Sequence, residues 1–261
     1  MPKLAANLTM LFNELPFMER FAAAAAAGFR GGGFLFPFPF DAGEIGGQLA
    51  RHRLQVVLHN LPAGDWNKGE RGIACHPGRQ EEFRESVELA VRYAKVLGTR
   101  QLNCLAGIVP AGVDPEEARL TLLDNLRHAA KRLQAEGLPL LIEPINSRDM
   151  PGFFLSGSRQ AMELIRDSGS DNLFLQYDVY HMQRMEGELA ATIEANLPLI
   201  RHIQIADNPG RGEPGTGEIN YRFLFALLDR IGYDGWIGCE YKPQGTTDAG
   251  LGWLAAHGFQ P

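Results

Sequence analysis

The segment NLTMLFNELP (Asn7–Pro16) follows the first apolar run of the chain, and its reading decides between two parallel-sheet folds. An open doubly wound sheet that binds a dinucleotide carries a glycine-rich turn directly after its first strand, where the bare backbone can approach a pyrophosphate. NLTMLFNELP holds no glycine. Outward from it, short apolar runs alternate with longer amphipathic ones. The runs KLAANLTM (3–10), GGGFLF (31–36), LQVVLH (54–59), RQLNCL (100–105), PLLIEP (139–144), LFLQYD (173–178), HIQIAD (202–207) and WIGCEY (236–241) read as strands. Helical patterns lie between them: Pro16–Ala27, Ala42–Arg51, Arg79–Leu97, Pro115–Ala135, Ser158–Asp167, Leu189–Asn196, Tyr221–Arg230 and a weaker Thr247–Ala256. Asp114 before Pro115 and Glu116 is a helix start: a cap, a preset φ and an acid in the first turn. Eight strand–helix units in 261 residues predict one (β/α)8 TIM barrel as a single domain over residues 1–261.

Bulk properties exclude several classes. A net charge of −6 argues against a surface that coats nucleic acid. Cys75, Cys104 and Cys239 lack zinc-ribbon spacing and suggest reduced thiols in a cytoplasmic setting. The N-terminus shows no signal-peptide pattern, and FAAAAAAGF (21–29) is far too short to span a bilayer, so no membrane partner is expected. A homo-oligomer is compatible with the sequence. Two connections are long. Asn60–Gly78, with Trp66 and Arg71, reads as a lid, and Ala206–Asn220 is the other. The glycine-rich part of the second has no phosphate-loop pattern.

Catalytic groups of such barrels sit at the C-terminal ends of the strands. Those ends read Asn7, Gly33, His59, Asn103, Glu143, Asp178, Gln204 and Glu240. A carboxylate buried alone as an ion is costly, and several at one mouth repel unless a cation sits among them. Carboxylate and amide oxygens suit a hard divalent ion such as Mg²⁺ or Mn²⁺. The alternative is that each carboxylate pairs with a barrel arginine or lysine. His59 precedes the lid and His181 lies three residues after Asp178, so both are substrate-facing candidates beside packing roles. Arg211, Lys242 and Arg71 are candidates for holding an anionic group.

The stretches ANLTMLF (6–12), LHNLPAGDWNKGERGIAC (58–75), LLIEPIN (140–146), QYDVYHMQRMEGE (176–188), HIQIADNPGRGEPGTGEINY (202–221) and GCEYKP (238–243) closely resemble the hydroxypyruvate isomerase family. That family belongs to the xylose-isomerase-like TIM barrels and includes 2-oxo-tetronate isomerases. The resemblance implies a divalent metal, Mg²⁺ or Mn²⁺, at Glu143, Asp178, Gln204 and Glu240. It implies that Glu143 and Glu240 are the acid/base pair, acting on a small hydroxy-oxo acid through an enediolate. His59, Asn103, His181, Arg211, Lys242, Trp66 and Arg71 would then contact substrate. One departure stands in GFRGGGF (28–34): Gly32 and Gly33 occupy positions where the family pattern leads one to expect valine and glutamate. The aromatics of FLFPFPF (34–40) either wall the substrate pocket or pack beneath it. Rival readings are a related sugar epimerase, a non-catalytic binding barrel, and an endonuclease, which would need more histidines and a basic face.

Overall fold

The computed structural model describes residues 3–259. Eight parallel strands close into a barrel in sequence order: β1 (Lys3–Asn7), β2 (Gly31–Phe34), β3 (Gln55–Asn60), β4 (Leu102–Cys104), β5 (Leu140–Ile142), β6 (Leu173–Asp178), β7 (Ile200–Ile205) and β8 (Trp236–Cys239), with β8 pairing back to β1. The helices are α1 (Arg20–Ala26), α2 (Ala42–His52), α3 (Gln80–Leu97), α4 (Pro115–Gln134), α5 (Ser158–Ser168), α6 (Val179–Met185), α7 (Leu189–Asn196), α8 (Tyr221–Arg230), α9 (Thr247–Gly250) and α10 (Gly252–Ala256). Among the described residues, no helix is long and apolar enough to cross a membrane.

The expected alternation holds, with shifts at the edges. Asp114 caps α4 by accepting from the Glu116 N–H at 2.8 Å and the Glu117 N–H at 3.3 Å. The first strand stops at Asn7 rather than Met10. There the Asn7 carbonyl accepts from the N–H groups of Met10 and Leu11, folding the chain into turns. The first turn of the expected Pro16–Ala27 helix is a 3-10 turn over Phe17–Glu19, and the α-helix begins at Arg20. The last helical pattern splits into α9 and α10 at Leu251. The helix α6 is one that the sequence pattern does not mark. Its residues Val179–Met182 are consecutively buried, so it lacks the one-sided pattern that marks longer helices, and its cap, Asp178, doubles as the last residue of β6.

The main core lies between strands and helices, with a small separate cluster of Ala5, Val57, Leu58 and Leu141. The first glycine of GGG is steric: a Cβ on Gly31 would stand 2.5 Å from the Trp236 ring. The strand is shorter than GGGFLF because its register against β3 shifts between Gly32 and Gly33 and the Leu35 N–H leaves to the Thr9 hydroxyl. Phe34 is buried against Phe17, Phe21 and His59, whereas Phe36 meets Trp66 of the lid at 5.1 Å. The aromatic run therefore divides: its start packs beneath the mouth, and Phe36 packs against the long loop that carries Trp66.

The long loop after β3 is pinned to the loop after β4 by a backbone crossing. Gly72 (φ +115°) and Gly107 (φ +106°) approach so closely that a Cβ on Gly107 would lie 2.5 Å from the Gly72 carbonyl oxygen. Gly107→Ala is expected to destabilise the fold by about 3 kcal/mol, from strain plus this clash. Urea unfolding checks this, and an unchanged midpoint would contradict it. Cys75, Cys104 and Cys239 are free, in line with the reduced thiols expected, and all three are buried.

Candidate active site

Parallel closure brings all eight strand ends to one mouth, and the side chains there form a connected polar network. Glu240, one residue past β8, is 5% exposed. Its Oε2 accepts from Asn7 Nδ2 at 2.6 Å and Gln204 Nε2 at 2.5 Å, and its Oε1 accepts from Arg211 Nη2 at 2.7 Å. Glu143, one residue past β5, accepts from Asn103 Nδ2 at 3.0 Å, and the same amide donates to Asn60 Oδ1 at 3.1 Å. Asp178 Oδ1 accepts the His181 N–H at 3.0 Å. Among the described residues its Oδ2 has no hydrogen-bond partner, although Asp178 is wholly buried. Arg211 Nη2 and His181 Nε2 each stand 3.7 Å from that oxygen.

The electrostatics follow from crowding. Burial lifts the Glu143 carboxyl well above the usual carboxylate range, and the charges of Glu240 and Asp178 lift it further. Burial also raises Glu240, against the opposing pull of Arg211. Three buried carboxyls face one guanidinium, so two negative charges stay uncompensated when all three ionise. One ligand atom each from Glu143, Asp178 and His181 lies within 4.8 Å of the others, a group that could hold a metal ion.

The hydrogen bonds around His181 fix its tautomer. Asn146 is oriented by Asp149: its Oδ1 accepts the Asp149 N–H at 2.8 Å, and its Nδ2 donates to Asp149 Oδ2 at 3.0 Å. That Nδ2 also lies 2.6 Å from His181 Nδ1, which must therefore accept. Burial lowers the ring's pKa to about 4, so it is neutral at pH 7 with its proton on Nε2, facing Asp178 and Glu143. In this tautomer Nε2 is a donor, 3.7 Å from Asp178 Oδ2 and 4.0 Å from Glu143 Oε1 and so not yet hydrogen-bonded to either.

The remaining sequence candidates divide. Asn103 is bonded into the site through Glu143. His59 is wholly buried between Phe34 and Phe38, with Nδ1 2.9 Å from the Asn60 carbonyl and Nε2 unpartnered. Arg211, from the second long loop, reaches the centre of the mouth. Lys242 is exposed, and its backbone N–H donates to the Arg211 carbonyl at 2.7 Å. Arg71 braces the lid: its Nη1 donates to the Trp66 and Glu70 carbonyls, and its guanidinium lies 4.1 Å from the Trp66 ring centroid. Gly33 leaves a cavity of about 20 Å³ bordered by Asn7, His202 and Gln204, and a Cβ there would stand 3.1 Å from the Leu58 carbonyl.

Asn60, Asn146 and Gln176 join the network without having been singled out from sequence. Asn60 and Asn146 follow His59 and LLIEPI directly, so a wider window at the strand ends would have found them. Gln176, which donates to Gln204 Oε1 at 2.8 Å, sits inside β6.

Burial lowers His59 from 6.5 to about 4, with the Asn60 carbonyl opposing only weakly. The unfolded ring takes its proton near 6.5, so the neutral folded ring contributes stability above that pH, and this is lost as pH falls from 6.5 to about 4. Glu143 and Glu240, raised, contribute in the opposite direction, losing stability as pH rises. The net melting curve mixes these signs, so the clean check is a site-resolved NMR titration. His59 is expected to stay neutral at pH 5.5, and a midpoint near 6.5 would contradict the burial argument.

Comparison with known proteins places this mouth in context. Residues 21–257 match the family model described as xylose isomerase-like TIM barrel. The chain is 57% identical over 254 residues to hydroxypyruvate isomerase of Escherichia coli, covering 97% of this chain and 98% of the relative. It is 48% identical over 254 residues to 2-oxo-tetronate isomerase of Cupriavidus necator, with the same coverage. A crystal structure described as AP endonuclease, family 2, from Brucella melitensis superposes with a TM-score of 0.96 at 46% identity, covering 98% of this chain and 99% of that one.

Proposed function

The chain belongs to the xylose isomerase-like TIM barrel family, among its hydroxypyruvate isomerases, and is an isomerase; from that premise we propose that it interconverts hydroxypyruvate and tartronate semialdehyde. The observation that carries the reading is the pair Glu143 and Glu240: two buried carboxyls, both raised above the ordinary range, at the ends of strands three steps apart around one mouth. Raised carboxyls titrate closer to neutral pH and so exchange protons with carbon acids more readily.

The residues present fit a divalent cation. Among the described residues, Asp178 Oδ2 is a buried oxygen without a hydrogen-bond partner, and three carboxyls face one guanidinium. Gln176 can accept from Gln204 after a 180° flip of both amides, which would turn the Gln204 carbonyl toward the carboxylates and satisfy the orphaned Gln176 Oε1. Glu143, Asp178, Gln204 and Glu240 are the residues we propose to hold Mg²⁺ or Mn²⁺, and His181, with its proton on Nε2, is left for substrate. When bound, such an ion would polarise the substrate's carbonyl and hydroxyl oxygens.

The chain's own groups then divide the proton work. Glu240, positioned by donors from Asn7 and Arg211, takes a proton from C3 of hydroxypyruvate. Electrons move into the C2 carbonyl to give an enediolate. Glu143, its carboxyl raised by burial and by its acidic neighbours, delivers a proton to C2, and the proton taken up by Glu240 returns through solvent before the next turnover. The hydroxyl proton passes from O3 to O2, leaving the aldehyde at C3. His181 Nε2–H and His59 steady the oxygens, Asn103 holds Glu143 in place, and free donors of Arg211, or Lys242, hold the carboxylate. Trp66, backed by Phe36 and Arg71, closes the mouth and keeps water from the enediolate. The three buried free thiols support a reducing, cytoplasmic setting.

The 48% identity to a 2-oxo-tetronate isomerase favours one second reading, the same chemistry on a four-carbon acid. Product analysis by NMR with each acid separates them. Hydroxypyruvate is expected to show the larger kcat/KM, and turnover of 2-oxo-tetronate alone would transfer the assignment.

A further inference from the structure

The barrel has a second opening, at the N-terminal ends of its strands. A cavity of about 530 Å³ lies there among the first residues of β1, β3, β7 and β8. Val57, Ile200 and Tyr233, all buried, form part of its lining. Lys3, Arg100 and Arg201 line it as well, against a single acid, Asp234. Among the described residues, none of these three cations is hydrogen-bonded or ion-paired to a carboxylate. Some arginines elsewhere are paired, Arg79 with Glu70 and Glu82 and Arg132 with Glu88 and Glu136. Two of the three are instead poised over aromatic faces. Lys3 Nζ lies 5.6 Å from the Trp236 ring centroid, and the Arg201 guanidinium lies 4.3 Å from that of Phe174.

The floor adds a second, independent feature. Gln101 is only 9% exposed and lines the cavity, yet its amide has no hydrogen-bond partner among the described residues. An amide that lines a cavity without a protein partner is a hydrogen-bonding group that an occupant can use. Concentrated, unpaired positive charge in a chain of net charge −6 selects the sign of that occupant.

We propose that this basal cavity binds a small, multiply charged anion, of the phosphate-ester or polycarboxylate class. Lys3, Arg100 and Arg201 supply the charge, two of them through planar forks that match phosphate and carboxylate oxygens. Gln101 donates its amide from the floor. A five-residue strand such as β1 separates this opening from the catalytic mouth by roughly 16 Å, so the ligand does not compete with substrate. The proposal is independent of which acid the mouth isomerises.

The test titrates the full chain with inorganic pyrophosphate and, separately, with citrate, at constant ionic strength, by calorimetry and tryptophan fluorescence. Saturable binding of at least one probe is expected. Pyrophosphate alone would identify a phosphate ligand, citrate alone a carboxylate ligand, and both together recognition by charge. In the double variant Arg100→Gln/Arg201→Gln the dissociation constant should rise roughly tenfold or more, while kcat stays at the wild-type value and reports an intact barrel. Trp236→Phe should remove the fluorescence response and leave the calorimetric one. Absence of saturable binding by either probe, or equal affinity in the double variant, overturns the proposal.

Discussion

Replacing Glu240 by glutamine is expected to lower kcat by about 10²- to 10⁴-fold, the usual worth of a positioned acid/base group, and to abolish exchange of the substrate C–H proton with D₂O. The change keeps the side chain's shape but removes its charge and its basicity. It also disturbs the hydrogen bonds, because Glu240 accepts on both oxygens from Asn7, Gln204 and Arg211 and an amide has only one oxygen to offer. Some loss of stability should therefore accompany the loss of turnover. A merely structural role predicts that loss of stability with exchange intact per folded molecule. Exchange at the wild-type rate would remove Glu240 from the proton transfer.

Metal removal is expected to have the second large effect. The mouth holds Glu143, Asp178 and Glu240 against the one guanidinium of Arg211, and Asp178 Oδ2 is left without a partner. A chelator should reduce turnover to background, and Mg²⁺ or Mn²⁺ should restore it. Neutralising the repulsion should also raise the melting temperature, since a ligand at a hundred times its dissociation constant adds about 2.7 kcal/mol. The thermal shift reads the site without relying on activity. Full turnover in a sample verified to be metal-free, together with no thermal shift on adding either ion, would contradict the proposed site.

The barrel was legible because its signals are local: apolar runs of strand length, Asp114–Pro115 at a helix start, and no glycine turn after β1. The candidate site was legible for a related reason. In a closed parallel barrel, position along a strand converts directly into position in space, so Glu143, Asp178, Gln204 and Glu240 could be gathered without coordinates. What escaped depends on contacts across the mouth. That Arg211 bonds Glu240 while Arg71 braces the lid follows from how two long loops fold, and composition does not distinguish them. The tautomer of His181 is set by Asn146, 35 positions away. Gly31 has a partner in Trp236 that only barrel closure supplies. Gly33 stands apart: the backbone there meets Leu58 closely, but nothing in the structure explains the absence of a carboxylate at that position.

The central claim is that this mouth moves a proton between C3 and C2 of hydroxypyruvate. Incubating the metal-loaded wild-type protein with hydroxypyruvate in D₂O and following it by NMR tests this most directly. The expected result is tartronate semialdehyde carrying deuterium at C2, with deuterium entering C3 of the recovered hydroxypyruvate, both well above an enzyme-free control. Unchanged hydroxypyruvate with no deuterium at C3 would contradict it.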